Sequence, residues 1–231
     1  MSEDNPPHFF SQLSPLYPKP TEDGKINTVQ FLEASKSFIQ IYDLMGTTFY
    51  VVKKDMSGNI EVKQTVNICG LSINDSFNPF QKLYKTYNKA SEKYKYLNDL
   101  IYEERNDPSL FAVDALLWLK RALEFTVAFV NGICEEHEKG KKSERIDHLA
   151  TEAYNQTLKP YHMWLVQNLF KVVVKSISYR SDLVKSLYMG KVGSEDVLYA
   201  GCSAYIKHLE TNLKIIVQMY DEWGLNNDKK V

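Results

Sequence analysis

The stretch DPSLFAVDALLWLKRALEFTVAFVNGICEEHE, Asp107 to Glu138, decides the fold. Asp107 and Pro108 form a helix start signal, because a carboxylate can cap the first amides and proline fits the first turn. Leu110, Val113, Leu116, Leu117, Leu119, Leu123, Phe125, Val127, Phe129, Val130 and Ile133 then cover most of the circumference and leave a narrow polar strip. A helix of that length spans on the order of 45 Å. Apolar nearly all round, it belongs in the middle of a bundle and is the expected central element.

The flanking segments read the same way. Asn27 is placed to cap a helix whose third residue is Gln30, with Val29, Phe31, Leu32, Phe38, Ile39, Ile41, Tyr42 and Met45 running to Gly46. From Thr47 to about Cys69, apolar residues at Phe49, Val52, Met56, Ile60, Val66 and Ile68 keep a helical spacing interrupted by Gly58. Asn78 and Pro79 open a helix over 79–93, and residues 94–104 add a further turn or two. A Gly- and Lys-containing loop, Lys139 to Ser143, leads to a helix ended near Leu158 by Pro160. Helices follow over Tyr161 to Ser178 and Ser181 to Met189, and Ser194 caps a last long one to about Trp223. No segment alternates at period two between turn signals, so the expected class is all-α. Pro6, Pro7, Pro15, Pro18 and Pro20 make residues 1–24 an irregular arm lying across the surface or fraying from it, and 25–231 is read as one domain.

Bulk properties narrow the function. The 231 residues are 44% hydrophobic, ample for a core, and 28 basic against 29 acidic residues leave a net charge of −1. That balance supplies no field to draw the chain onto nucleic acid. Met1 to Phe10 lacks a signal peptide's basic start and apolar run, and no stretch reaches ~18 uninterrupted apolar residues, so a soluble, cytoplasmic protein is expected. Cys69, Cys134 and Cys202 sit far apart in apolar or helical contexts and read as reduced, buried thiols. No histidine has metal-ligand spacing, so neither metal nor cofactor is expected. The 15 Tyr and 11 Phe line or pack against something large.

The polar residues with chemical promise lie in three segments. Asp55 and Asn59, in DMSGN, are one helical turn apart, and a carboxylate beside a carboxamide can accept from and donate to vicinal hydroxyls. Lys63, four residues on, extends that strip; an exposed lysine is its plainer reading. Trp118, in WLKR, is either a core indole or a stacking platform, and Lys120 and Arg121 beside it mark a polar boundary. Asp114, one turn earlier, binds ligand or pairs with a lysine of the second helix, since an unpaired buried carboxylate is costly. His162, in YHMW, stands near a helix start whose dipole favours a neutral imidazole, suited to an amide carbonyl or hydroxyl. Trp164 falls on the opposite side of that helix and so points outward, where an exposed indole near Tyr161 and Lys159 has the composition of a membrane-interface anchor. Glu135, Glu136, His137 and Glu138 read as solvated surface. Asp55 and His162 together also suggest a hydrolase, but no Ser or Cys elbow or paired acidic site accompanies them.

Taken together, DMSGNI at Asp55 to Ile60, LWLKRALEF at Leu117 to Phe125 and KPYHMWLVQNLF at Lys159 to Phe170 resemble the glycolipid transfer protein family in order and spacing. The resemblance extends from about Asn27 to the end. It implies a two-layer helical sandwich of about eight helices enclosing an apolar compartment for ceramide chains, with a sugar headgroup site at its mouth. Such proteins move glycosphingolipids between membranes without chemistry, as monomers that touch membranes transiently and from the periphery. On the matching positions, Asp55 and Asn59 would bind sugar hydroxyls, Trp118 would stack on the sugar and His162 would hold the amide carbonyl. Phe49, Val52, Phe125, Leu158 and Phe170 would line the lipid pocket, and Tyr161 and Trp164 would meet the membrane.

Three positions depart from the family pattern. Val62 stands at the headgroup lysine, with only Lys63 nearby. Asp114 occupies an apolar position, and the tail LNNDKKV lacks the usual tyrosine. Within the family, carriers of ceramide phosphates place Lys and Arg where this chain has Asn59 and Trp118, so a glycosylated ligand is expected. A lipid sensor or helical adaptor with the same fold and little transfer is the alternative that Val62 suggests.

Overall fold

In the computed structural model, which describes residues 5–45, 79–141, 143–177 and 179–230, the chain is helical almost throughout. The α-helices among the described residues are α1 Phe9–Gln12, α2 Thr28–Phe38, α3 Pro79–Tyr87, α4 Leu97–Glu104, α5 Phe111–Glu138, α6 Asp147–Gln156, α7 Trp164–Val173, α8 Arg180–Leu187 and α9 Glu195–Glu222. Short 3₁₀ turns extend α2 over Ile39–Leu44, precede α7 over Lys159–Tyr161 and extend α7 over Val174–Ser176. No strand forms among these residues, whose one extended pairing is an isolated antiparallel bridge between Asn27 and Tyr96. None of these helices is long and apolar enough to cross a membrane. The expected helix over Thr47 to Cys69 lies outside the described residues.

The central helix is α5, 28 residues long, packed against α3, α4, α6 and α9. Leu116, Leu117, Leu123 and Phe129 are fully buried, as the all-round apolar pattern requires. Its start is later than the proline signal implies. The Asp107 carboxylate accepts the Ser109 amide at 2.8 Å, a local turn, and Leu110 takes a left-handed backbone (φ 46°) before the helix opens at Phe111. Two tyrosines tie α5 to its neighbours. Tyr220 on α9 donates to the Val113 carbonyl at 2.7 Å, and Tyr42 meets the Thr126 hydroxyl at 2.5 Å. Because Thr126 spends its own hydrogen on the Ala122 carbonyl at 2.8 Å, Tyr42 is the donor.

Asn27 caps α2 as expected, its side chain accepting the Gln30 amide at 2.9 Å. The proline-rich arm is bound into the fold rather than laid over it. Phe10 and Tyr17 are buried, and Tyr17 packs against Phe31, Phe38 and Tyr205 with centroid separations of 5.7, 6.5 and 5.7 Å. Asn212 on α9 donates to the Pro18 carbonyl at 3.0 Å. His8 is buried against Gly201, where a Cβ would fall 2.5 Å from the imidazole Cε1, so only glycine lets the arm approach this closely. Proline fixed the local conformation of the arm, but aromatic burial decided its position.

Two other expectations are corrected. Glu136 is buried, not solvated: Arg180 donates to one carboxylate oxygen at 2.6 Å, while Lys141 and His148 meet the other at 2.8 and 2.9 Å. Lys120 and Arg121 do not mark a polar boundary either. Both are buried, Lys120 beside Glu124 at 3.3 Å, because their long stems pack along an apolar helix while their charges find partners. Cys134 and Cys202 are free and buried, as read, and α5 and α9 bring their sulfurs to 3.6 Å. Cys69 lies outside the described residues.

Candidate headgroup and lipid site

Pro160 breaks the chain between α6 and α7, and the break builds half of the site. Lys159–Tyr161 make one 3₁₀ turn, then His162 and Met163 run extended before α7 opens at Trp164. Gln167 ties the turn down, donating to the His162 and Lys159 carbonyls at 2.8 and 3.2 Å. His162 therefore stands in a linker, not in the first turn of a helix. It and Trp164 still diverge, but through this break rather than through helical rotation: His162 is half-buried and Trp164 is 74% exposed.

The extended linker lays the His162 imidazole on the Trp118 indole of α5, with ring centroids 6.1 Å apart and planes 13° from parallel. Burial, and secondly the Arg121 guanidinium, lower the His162 pKa to about 4, so the ring is neutral at physiological pH. The expected neutrality holds; its cause is enclosure rather than a helix dipole. Tyr154 of α6 reaches Nδ1 at 3.0 Å, and burial raises the pKa of its phenol to about 12, keeping the hydroxyl a donor. The neutral ring has two tautomers here, and in the one whose Nδ1 accepts from Tyr154 the proton sits on Nε2, which can donate to a ligand carbonyl.

Beneath this pair lies an aromatic wall. Phe170 stacks on Tyr154 at 3.7 Å and meets Phe125 edge-on at 6.0 Å. Phe125 is 1% exposed, and Leu158 packs partly buried against the same core. Phe125, Phe170, Trp118 and His162 are thus brought together from α5, the linker and α7, while Leu158, beyond the end of α6, packs against the common core. Asp55, Asn59, Lys63, Phe49 and Val52 lie outside the described residues.

Sequence reading missed Tyr154, Arg121 and the tail. Arg121 is fully buried, stacks on the Tyr161 ring at 3.4 Å, lies 5.0 Å from the Trp118 ring and donates through Nη2 to the Asn227 carbonyl at 2.5 Å. Burial lowers its pKa. Asn227 in turn donates to Asp114 at 3.4 Å, so the tail meets this carboxylate, while the lysines of the expected second helix lie outside the described residues. An arginine inside the most apolar helix was the signal, because such a charge demands partners that the helix cannot provide. Tyr161 is half-buried under this contact. On the outer face of α7, Met163, Trp164, Leu165, Leu169 and Val172 stand 55, 74, 45, 39 and 68% exposed.

The enclosed His162 has a thermodynamic consequence. The folded chain holds it neutral down to about pH 4, whereas an unfolded chain protonates it near the ordinary 6.5. The unfolded state therefore binds more protons in that window, and stability falls as pH drops through it, by up to ~3 kcal/mol. His162→Gln is expected to lose less stability than wild type between pH 7 and pH 4.5 in urea unfolding; equal losses would show the ring to be unperturbed. Buried His8, also lowered by desolvation, leaves a residual slope of the same sign.

The family model for glycolipid transfer protein (GLTP) matches residues 26–67 and 67–189. The zebrafish (Danio rerio) glycolipid transfer protein is 25% identical over 230 residues, 97% of each chain. The FAPP2 structure solved to explain how that protein selects simple glycosphingolipids using the GLTP-fold is 25% identical, with a TM-score of 0.76 over 97% of this chain and 100% of that one. Human ceramide-1-phosphate transfer protein, solved with 12:0 ceramide-1-phosphate, shares the fold with a TM-score of 0.71, covering 95% of this chain and 94% of that one at 16% identity. The all-helical architecture is that of these neighbours, and the chain belongs to the glycolipid transfer protein family.

Proposed function

We propose that this protein binds a glycosphingolipid and carries it between membranes without altering it. The observation that carries the reading is the stacked Trp118 and His162 pair above the Phe125, Phe170 and Tyr154 wall. An indole face suits the C–H face of a sugar, a neutral imidazole N–H suits an amide carbonyl, and the wall beneath suits acyl chains. Burying such chains contributes about 0.8 kcal/mol per CH₂. Asp55 and Asn59, with Lys63 at the edge, complete the headgroup contacts in this reading, and Phe49 and Val52 the pocket. Trp118 stands where a phosphate carrier of the family has a cation, which favours sugar over phosphomonoester.

The exposed apolar face of α7, flanked by Lys159, Lys171 and Lys175, is the proposed membrane contact, used transiently by a cytoplasmic monomer. Replacing Trp164 with alanine is expected to weaken vesicle adsorption about tenfold while leaving the affinity for lipid in detergent unchanged; sedimentation with vesicles measures the first and native mass spectrometry the second. Adsorption at the wild-type level would move the contact elsewhere.

Incubation with vesicles containing galactosylceramide, followed by native mass spectrometry and a fluorescence transfer assay, tests the main reading. Intact lipid should appear both on the protein and in acceptor vesicles. Uptake of ceramide 1-phosphate but not galactosylceramide would overturn it, and hydrolysed glycolipid would reveal an enzyme. Val62 at the position of the family's headgroup lysine supports a second reading, a lipid sensor; binding without transfer is its signature.

A further inference from the structure

Cys134, near the end of α5, and Cys202, in the third turn of α9, are both free, both buried and 3.6 Å apart at sulfur. The lipid reading leaves them unused, since Cys134 stands sixteen residues, roughly 24 Å, along α5 from Trp118. We propose that the two are a redox pair, which hydrogen peroxide oxidises to an intramolecular disulfide that staples α5 to α9. The inference goes beyond the carrier reading and does not depend on it.

Thiols buried in an apolar core are ordinarily inert, because burial disfavours the thiolate that reacts. Two features set this pair apart. A cavity of about 20 Å³ opens beside both cysteines, walled by Phe10, Met45, Leu187 and Tyr199 among others. It admits a molecule little larger than water, which suits hydrogen peroxide and excludes a bulky oxidant such as oxidised glutathione. Charge is the second feature. Arg180, itself buried, reaches the Ile133 carbonyl at 3.4 Å and the Tyr199 hydroxyl at 3.5 Å, which brings its guanidinium close to Cys134. The hydrogen bond that Cys202 donates once Cys134 is ionised is the leading cause of a lowered Cys134 pKa; Ser203 and Arg180 add to it against burial and Glu138. The same contact, with burial, raises the pKa of Cys202. Cys134 is therefore the attacking sulfur and Cys202 the resolving one.

The oxidation balances in two steps. The Cys134 thiolate attacks one peroxide oxygen, the O–O bond breaks, and the departing hydroxide takes up the proton that the thiol lost, leaving a sulfenic acid and one water. The Cys202 sulfur then attacks the Cys134 sulfur: the S–S bond forms, the S–O bond breaks, and the hydroxide leaves as a second water with the Cys202 proton. Two thiols give two electrons and two protons to one peroxide, so no other reactant is needed. The staple would join two 28-residue helices across 68 positions of the chain and remove that loop's freedom from the unfolded state.

The test uses the whole chain, fully reduced and folded. Hydrogen peroxide should lower its intact mass by about 2 Da, the loss of two hydrogens, and yield one cross-linked peptide joining Cys134 to Cys202. Tm should rise by about 5 °C, and dithiothreitol should reverse the rise. Oxidised glutathione should leave the folded protein unchanged and react only in urea. Cys202→Ala is expected to stop at the sulfenic acid, which dimedone traps on Cys134, whereas Cys134→Ala should give no adduct on Cys202. Peroxide that leaves both thiols free while oxidising free cysteine in the same sample overturns the inference. So does a linkage through Cys69, a dimedone adduct on Cys202 instead of Cys134, or a disulfide that forms only in urea. The mass and the peptide map of the wild type need no substitution, so they decide the matter even where a variant fails to fold.

Discussion

Trp118→Ala is expected to lower vesicle-to-vesicle transfer of galactosylceramide at least about 100-fold, with helix content unchanged. The indole offers a sugar both stacking area and dispersion, and losing that face costs about 3 kcal/mol once the headgroup has no other platform. The structure supplies a second readout. His162 is covered by Trp118, at 6.1 Å and 13°, and enclosure is the leading reason that its pKa lies near 4. Uncovering the ring should move its titration up toward the ordinary value, which NMR of the imidazole protons would follow. Wild-type transfer with an unshifted histidine would mean that the stacked pair is core packing and that the headgroup binds elsewhere. A shifted histidine with intact transfer would keep the geometry but remove its function.

Arg180→Ala carries the largest expected effect on stability, about 3 kcal/mol and a fall in Tm of roughly 10 °C. Arg180 holds three places together. It donates to Glu136 at 2.6 Å, to the Ser143 carbonyl at 2.9 Å and, more loosely, to the Ile133 carbonyl at 3.4 Å. Both partners of the ion pair are buried, so removing the guanidinium leaves a desolvated carboxylate facing only Lys141 and His148. Burial opposes the charge on Glu136, but its cationic neighbours more than offset this and hold its pKa below the ordinary carboxylate range. That contribution is present at neutral pH and is lost as acid titrates the carboxyl through its folded value. Thermal unfolding of Arg180→Ala beside Arg180→Met/Glu136→Leu separates the two causes. The double variant should recover most of the loss if an unpaired charge is responsible, and none of it if the arginine's packing is.

The helices were legible where one physical rule dominates. The all-round apolar pattern placed α5, Asn27 caps α2, and Ser194 precedes α9 without a side-chain cap bond, because periodicity and capping act over a few neighbouring residues. Legibility failed where a distant partner decides. Nothing within ten residues of Arg121 announces Asn227, and nothing near Glu136 announces Arg180, so the arginine was assigned to a polar boundary and the glutamate to a solvated surface, and both are buried. The arm shows the same limit, since its prolines are local and Tyr205 and Asn212 are not. In the site, residue types identified Trp118 and His162 without giving the break at Pro160 that brings them face to face, or the hydroxyl of Tyr154 that hydrogen-bonds the imidazole. The divergence of His162 and Trp164 was anticipated for the wrong reason, since a helical wheel cannot describe a residue in an extended linker.

The anchoring of the arm also bears on how the chain is made. Tyr17 waits for Tyr205, and the Pro18 carbonyl for Asn212, nearly two hundred residues downstream. While a ribosome emits the chain in order, the first aromatic residues emerge without their partners and stay so until the last helix follows. Closing so long a loop is slow relative to forming the local turns of α2 or α5. The contacts between the arm and α9 can therefore form only once α9 has been made, and a nascent chain stalled before α9 leaves Tyr17 without the ring of Tyr205.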